Sequence, residues 1–141
     1  MNVVETYLRH LGEVHSTGGG VSEESYYAAL ENLLNDIGRK LKPRVRAVHE
    51  LKNIGAGEPD FGLYTANQFQ RSKDVRPIQG QLPERGVIEC KGWSDDSLAR
   101  TKSAQVTKYW KQYGIVIVTN YRDFVLIGRN GNGKPVRLES H

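Results

Sequence analysis

Cysteine and long apolar runs are scarce in this chain of 141 residues, whose 20 lysines and arginines outnumber its 16 acidic residues. A single cysteine, Cys90, excludes an internal disulfide framework and a zinc site built from cysteines. No apolar run approaches the roughly 20 residues that cross a bilayer, and no signal-peptide core is present. The chain is 38% hydrophobic and 26% charged. We therefore expect one cytoplasmic globular domain over residues 1–141, without a membrane partner.

Acidic residues are concentrated at the N-terminus. Residues 1–38 hold six acids and one base, a balance of −5, so the other residues sum to +9 within a total of +4. The segment 39–52 alone contributes six bases. Such asymmetry favours a surface that binds a polyanion, because cations placed on phosphates release counterions. A solvated basic surface explains the charge equally well.

Helical periodicity appears in three segments. The pattern predicts helices over 2–14, from about 22 to 41, and over 95–113. Spacings of three and four mark the apolar stripe of the second helix, which consists of Tyr26, Leu30, Leu33, Ile37 and Leu41. Pro43 closes that helix.

Strand patterns alternate with these helices. We predict strands over 44–52, 60–65, 86–91, 115–119, 123–129 and 134–139, with a long loop or hairpin insertion over 66–85. The apolar run 115–119 is typical of a central strand covered on both faces, and "NGNG" (130–133) is typical of a hairpin. The order predicts an α/β fold with a central mixed β-sheet flanked by helices.

The strand "GVIECK" (86–91) carries two charges on one face. Side chains two apart in a strand point the same way, so Glu89 and Lys91 share a face while Ile88 and Cys90 face the core. A surface ion pair of this kind contributes only about 0–1 kcal/mol. Because this strand lies between apolar segments, we expect the pair to be partly buried, where charge is costly unless it binds a partner.

Asp60 supplies the group that this pair lacks. If strands 60–65 and 86–91 are neighbours, Asp60 and Glu89 converge at one end. Two carboxylates and the Cys90 backbone carbonyl form a hard oxygen site suited to Mg²⁺, for which Mn²⁺ can substitute. The ammonium group of Lys91 can hold the attacking water and stabilise charge on a phosphate. The pattern predicts phosphodiester hydrolysis.

"EPD" (58–60) followed by "VIECK" (87–91) resembles the motif of the PD-(D/E)XK nuclease superfamily, at Asp60, Glu89 and Lys91. The resemblance implies a restriction-endonuclease-like core, with a mixed sheet and flanking helices, and Mg²⁺-dependent cleavage of nucleic acid. DNA is the implied partner; these residues alone do not exclude RNA.

Three further residues resemble elements of that superfamily. Gln105 and Tyr109 lie four apart on a predicted helix and resemble a Q-x-x-x-Y element near the active site. Glu24 resembles the helical glutamate that many members place near the metal. Ordinary helix packing explains Gln105 and Tyr109 as well, and a favourable charge at a helix N-terminus explains Glu24 as well.

A wider resemblance covers most of residues 21–128. It links the chain to the N-terminal nuclease region of restriction–modification polypeptides, in which an adenine-specific DNA methyltransferase follows. The implied partners are a DNA methyltransferase and a specificity segment, covalently linked or associated, and a second copy in a homodimer. This chain carries no methyltransferase motif, so it is a fragment or a stand-alone relative. Twenty-eight residues separate Asp60 from Glu89, which requires an excursion between the two strands.

Four basic residues are candidates for DNA contacts: Arg44, Arg46, Lys102 and Lys108. The bases of the excursion (Arg71, Lys73, Arg76 and Arg85) either touch DNA or keep a loop soluble. Two alternatives to a restriction nuclease remain open at this point. One is a nuclease specific for junctions or recombination intermediates, and the other is a non-catalytic DNA-binding module on the same fold.

Overall fold

The computed structural model describes residues 2–16, 23–49, 57–71, 73–93, 104–129 and 135–140. Within these ranges the α-helices are α1 (Val3–Ser16), α2 (Glu23–Gly38) and α3 (Ala104–Tyr113). The strands are β1 (Val45–His49), β2 (Phe61–Thr65), β3 (Val87–Cys90), β4 (Val116–Thr119), β5 (Phe124–Arg129) and β6 (Pro135–Ser140). The predicted helix start at 95 and the "NGNG" turn lie outside the described residues.

The strands form one sheet in the order β1-β2-β3-β4-β5-β6. Strands β3 and β4 are parallel, whereas every other neighbouring pair is antiparallel. A parallel pair requires a crossover connection, and α3 lies in it. The predicted α/β fold with a mixed sheet is therefore confirmed.

Helices cover both faces of the sheet and create two cores. The α3-side core contains Val87, Val106, Trp110, Val116 and Val118, together with other buried apolar residues. The α1/α2-side core includes Tyr7, Leu30, Phe61, Ile88 and Cys90. Strand β4 contributes to both cores, as predicted for a central strand, because Ile117 packs on the side opposite to its neighbours.

Helix α1 begins with a side-chain cap and is anchored to the turn between β4 and β5. The side chain of Asn2 accepts a hydrogen bond from the Glu5 amide at 2.8 Å, which satisfies a free N–H of the first turn. The hydroxyl group of buried Tyr7 donates to the Tyr121 carbonyl at 2.8 Å. Local capping and one long-range bond together fix α1 on the sheet.

Helix α2 is shorter than its apolar stripe predicts. Tyr26 and Leu30 are buried, but Ile37 and Leu41 are 39% and 47% exposed, so the C-terminal part of the predicted stripe is wrong. The helix ends at Gly38, where a Cβ atom would lie 1.9 Å from the Val45 carbonyl oxygen. Glycine at this position therefore permits close contact with β1, and the residues that follow the helix lie outside the core.

The excursion between β2 and β3 is organised by one buried glutamine. Gln68 is 2% exposed and closes the short 3-10 helix Ala66–Gln68. Its Oε1 accepts hydrogen bonds from the amides of Thr65 and Glu84, both at 3.1 Å, and its Nε2 donates to the Leu82 carbonyl at 2.6 Å. The two ends of the excursion are thereby joined, so β2 and β3 can pair despite the long connection.

Strand β1 is one edge of the sheet, and α2 crosses it. Asn35 Oδ1 accepts a hydrogen bond from the Ala47 amide at 2.9 Å, so a side chain takes the place of a neighbouring strand there. Among the helices that the structure describes, none is long and apolar enough to cross a membrane.

Candidate active site

The predicted meeting of Asp60 and Glu89 is present. Strands β2 and β3 pair antiparallel with Phe61 opposite Ile88, so the residue before β2 lies opposite Glu89. The Asp60 carboxyl group lies close enough to Glu89 to raise its pKa. Residues that are far apart in the sequence thus place two carboxyl groups at the same end of the two strands.

Both oxygens of Asp60 are held by other parts of the chain. Oδ1 accepts a hydrogen bond from the Tyr27 hydroxyl group at 2.9 Å, and Oδ2 accepts one from the Cys90 amide at 2.7 Å. The Tyr27 ring packs edge-on against His49 and Phe61, with centroids 4.6 and 5.9 Å away. The Asp60 carboxylate is therefore fixed in position by α2 and β3 before any ligand binds.

The side chains of β3 alternate between the two cores as predicted. Ile88 and Cys90 belong to the α1/α2-side core, and Val87 belongs to the α3-side core. Lys91 Nζ lies 3.7 Å from Glu89 Oε2, and the two side chains are 19% and 12% exposed. This pair is not the solvated surface ion pair that the sequence left open.

Burial and the neighbouring carboxyl group make Glu89 a weak acid. Desolvation is the largest cause, followed by the hydrogen bond and charge of Asp60, and together they raise the pKa of Glu89 to about 8. The Lys91 ammonium opposes this shift. Glu89 therefore holds its proton more tightly than an exposed glutamate does, and a divalent cation would displace that proton.

Gln105 and Tyr109 contact the turn that leads to Asp60. Gly57, with φ of +113°, lies so close to α3 that a Cβ atom would be 2.7 Å from Gln105 Nε2 and 3.3 Å from Tyr109 Oη. Desolvation raises the pKa of Tyr109, and the charges of Glu89 and Asp60 add to the shift. The structure therefore brings this pair of α3 residues to the carboxyl groups.

The donor atoms at this point fit a small hard cation. In an extended strand the N–H and C=O of one residue point to the same side, so the Cys90 carbonyl is directed towards Asp60, as its amide is. Within the described ranges, no three His, Cys, Asp or Glu residues form a metal-binding group. Two carboxylates with a backbone carbonyl suit Mg²⁺ or Mn²⁺ rather than zinc.

The other predicted site residues are more scattered. Glu24 lies in the first turn of α2, and its side chain is outside the described residues, as is Lys102. Lys108 is exposed on α3, and Arg44 is exposed just before β1. The Arg46 guanidinium lies 4.0 Å from the centroid of the Phe69 ring.

Tyr27 is the site residue that the sequence did not reveal. It contacts Asp60 across 33 residues and belongs to no motif. Its neighbour Tyr26 has the same side chain and a place in the helical stripe, but it bonds to His15 instead. Only the position of α2 on the sheet distinguishes the two tyrosines.

No protein-family model and no curated protein matches this sequence. Among solved structures, the chain is similar to a cryo-EM structure of a DrdV–DNA complex, with a TM-score of 0.68 and 22% sequence identity. The match covers 99% of this chain and 12% of that chain. At this identity the likeness establishes the fold. The chain has an α/β fold consistent with a restriction-endonuclease-like core.

Proposed function

We propose that this chain is a Mg²⁺-dependent DNA endonuclease domain that hydrolyses phosphodiester bonds, with Mn²⁺ able to replace Mg²⁺. One observation carries the proposal. The carboxyl groups of Asp60 and Glu89 meet at the ends of β2 and β3, with the Lys91 ammonium 3.7 Å from Glu89. Holding these charges in a half-buried position costs free energy, which a catalytic role accounts for.

The carboxylates of Asp60 and Glu89 and the Cys90 carbonyl would hold the cation. A bound Mg²⁺ supplies positive charge to the substrate phosphate and makes a water molecule more acidic. Tyr27 and the Cys90 amide hold Asp60 in one orientation, so little rearrangement is needed on binding. Because its pKa is raised, Glu89 must release a proton before it can act as a ligand.

Lys91 follows the metal-binding residues directly and projects to the same side as Glu89. Its ammonium group can orient the attacking water and offset the negative charge that develops on the phosphate. Gln105 and Tyr109 place an amide and a hydroxyl group beside the Asp60 turn. These groups can donate hydrogen bonds to a phosphate oxygen.

The similarity to a protein solved in a complex with DNA supports DNA as the substrate. The charge of +9 outside residues 1–38 agrees with a polyanion. The chain spans 12% of the length of that DNA-bound chain. We propose that it serves a restriction–modification or phage-defence system, with a DNA methyltransferase and a specificity segment supplied by the same polypeptide or by separate partners. Two copies would then meet on DNA to cut both strands.

Cleavage of supercoiled plasmid tests this proposal. Wild type should nick or linearise the plasmid in Mg²⁺ or Mn²⁺ and lose activity in EDTA, and Lys91→Ala should be slower by about 100-fold or more. Lys111→Ala is the matched control, because Lys111 is exposed in the last turn of α3, just before β4. It therefore lies at the opposite end of the parallel strands, and its loss should leave cleavage unchanged.

Equal cleavage by wild type and Lys91→Ala would contradict the proposal. If wild type does not cut, Mg²⁺ binding decides. Binding that Asp60→Ala abolishes supports the site and indicates that further segments are required. No Mg²⁺ binding by the wild type would identify a non-catalytic module.

A further inference from the structure

Edge strand β1 is the floor of a cavity of about 600 Å³, which we call the β1 groove. One wall is formed by the C-terminal half of α2, including Asn32, and by Arg39 just after the helix; the other is formed by Val75 and Arg76 of the excursion. The floor follows the chain from Arg44 to His49. The groove lies at the edge of the sheet, and its lining does not include Asp60 and Glu89, which we call the carboxyl cluster.

The charge of the β1 groove is strongly positive. Arg39, Arg44, Arg46 and Arg76 line it, whereas Glu31 is the acidic residue among its lining. Arg39 is also paired with Asp36, so its charge is partly offset. Arg44 and Arg76 are both exposed at the surface. Arginine presents a planar fork of donors that matches phosphate oxygens, so this lining suits a phosphodiester backbone.

Two contacts hold side chains that line the groove, and the second of them leads to Asp60. The guanidinium group of Arg46 is held over the Phe69 ring at 4.0 Å, so its orientation is fixed. At the other end of β1, His49 lines the groove and packs against Tyr27, the residue that donates to Asp60. Tyr27 therefore connects the His49 end of the groove to Asp60.

The length of the floor fits several phosphates. Four steps along β1, from Val45 to His49, span about 13 Å at about 3.3 Å per residue. One strand of B-DNA carries a phosphate for about every 3.4 Å of helix axis, and the winding path of the backbone between phosphates is longer, so this length accommodates at most about four phosphates.

We propose that the β1 groove binds the sugar–phosphate backbone of the DNA that flanks the scissile bond. This assignment rests on the proposed function for the identity of the substrate. It separates two tasks, because the arginines beside β1 grip the backbone while the residues at the ends of β2 and β3 carry out the chemistry. Lys108, which is on α3, does not line this groove.

Fluorescence anisotropy with a labelled 20-base-pair duplex in EDTA tests the groove without cleavage. The test variant is Arg44→Gln/Arg76→Gln, because both side chains are exposed. The control is Arg9→Gln/Lys111→Gln, which removes the same charge from exposed positions on α1 and α3. The dependence of log Kd on log salt should fall by about 1.8 for the test variant, about 0.9 for each lost phosphate contact, and change little for the control. In plasmid cleavage, the test variant should raise KM and leave kcat unchanged.

Equal salt dependence in the two double variants would overturn the proposal that the β1 groove binds DNA, even if wild type cleaves DNA. Loss of salt dependence in the test variant supports the groove even if wild type does not cleave, and the proposed catalytic function would then fail alone. Polyglutamate is the probe for a less specific surface. If it binds as tightly as the duplex and the test variant loses both equally, the assignment to a DNA backbone is wrong.

Discussion

The hydroxyl group of Tyr27 donates a 2.9 Å hydrogen bond to Oδ1 of Asp60 and so joins α2 to the beginning of β2. The other Asp60 oxygen accepts from the Cys90 amide. Residues outside the first set of ligands often control metal affinity, because they fix the orientation of the groups that bind. Helix α2 is thus part of the candidate catalytic apparatus as well as part of the core.

Replacement of Tyr27 by Phe should raise the Mg²⁺ concentration for half-maximal cleavage by about 10- to 100-fold. The ring and its packing remain, and the bond to Asp60 is lost. Tyr26→Phe is the control, since it removes a 3.0 Å bond to His15 from the same helix without touching Asp60. Plasmid cleavage across a Mg²⁺ titration measures the effect. Equal Mg²⁺ requirements in the two variants would show that Tyr27 only supports packing.

Metal-free protein should become less stable as the pH rises towards 9. The pKa of Glu89 is raised from its ordinary 4.5 to about 8, so the folded protein keeps a proton that the unfolded chain releases. Its stabilising contribution is complete below pH about 4.5 and is lost as the pH rises through about 8, at up to about 1.4 kcal/mol per pH unit.

Urea unfolding in EDTA at pH 6 and pH 9 measures this effect against Glu89→Gln, which cannot release a proton. The fall in unfolding free energy should be larger for wild type than for Glu89→Gln, and Mg²⁺ should reduce the difference. Parallel pH curves for the two proteins would mean that Glu89 titrates normally.

Gly57→Ala should reduce both stability and cleavage. A side chain at φ of +113° is strained, and its Cβ would lie 2.7 Å from Gln105 Nε2, so Gln105 or the Asp60 turn must shift. Gly80→Ala separates backbone strain from steric contact. Gly80 also has a positive φ, +86°, but a Cβ atom added there would have no atom within 4 Å.

We expect about 1 kcal/mol of destabilisation for Gly80→Ala with unchanged cleavage. Gly57→Ala should cost more, about 1–3 kcal/mol, and slow cleavage at least tenfold. Urea unfolding and plasmid cleavage report the two quantities. Unchanged cleavage by Gly57→Ala would show that the contact of α3 with the turn is not required.

Cys90→Ala should destabilise the fold by about 1 kcal/mol, because a small cavity replaces a buried thiol. Metal-dependent cleavage should persist, since only the Cys90 backbone faces Asp60. Ile88→Val, which alters the same core, should give a similar loss in urea unfolding without a change in activity. If folded Cys90→Ala protein cannot cleave DNA, the thiol itself takes part in the reaction.

Much of the site was predictable because strand geometry is regular. Alternation alone placed Glu89 and Lys91 on one face and Cys90 in the opposite core. The meeting of Asp60 and Glu89 was predicted on the condition that strands 60–65 and 86–91 are neighbours, and β2 and β3 do pair in the structure. The apolar run at 115–119 predicted that β4 lies inside the sheet, because a strand that is apolar on both faces must be covered on both.

The errors and omissions come from tertiary contacts that leave no periodic signal. Leu41 continues the stripe of α2, yet the helix ends at Gly38, which lies close to Val45, and Leu41 is exposed. Gln68 resembles an ordinary polar loop residue, but three hydrogen bonds to the backbone bury it. Tyr27 acquires its partner only through the angle at which α2 lies on the sheet.

The hydrogen bond from the Ala47 amide to Asn35 has a consequence for assembly. An open edge strand invites another chain to extend the sheet, which is a common route to aggregation and to dimers with a shared sheet. Here the central outward amide of β1 already has an acceptor, and α2 blocks the approach of a second strand. Strand β1 is therefore protected from pairing with a strand of another chain, although arginines line a groove at the same edge.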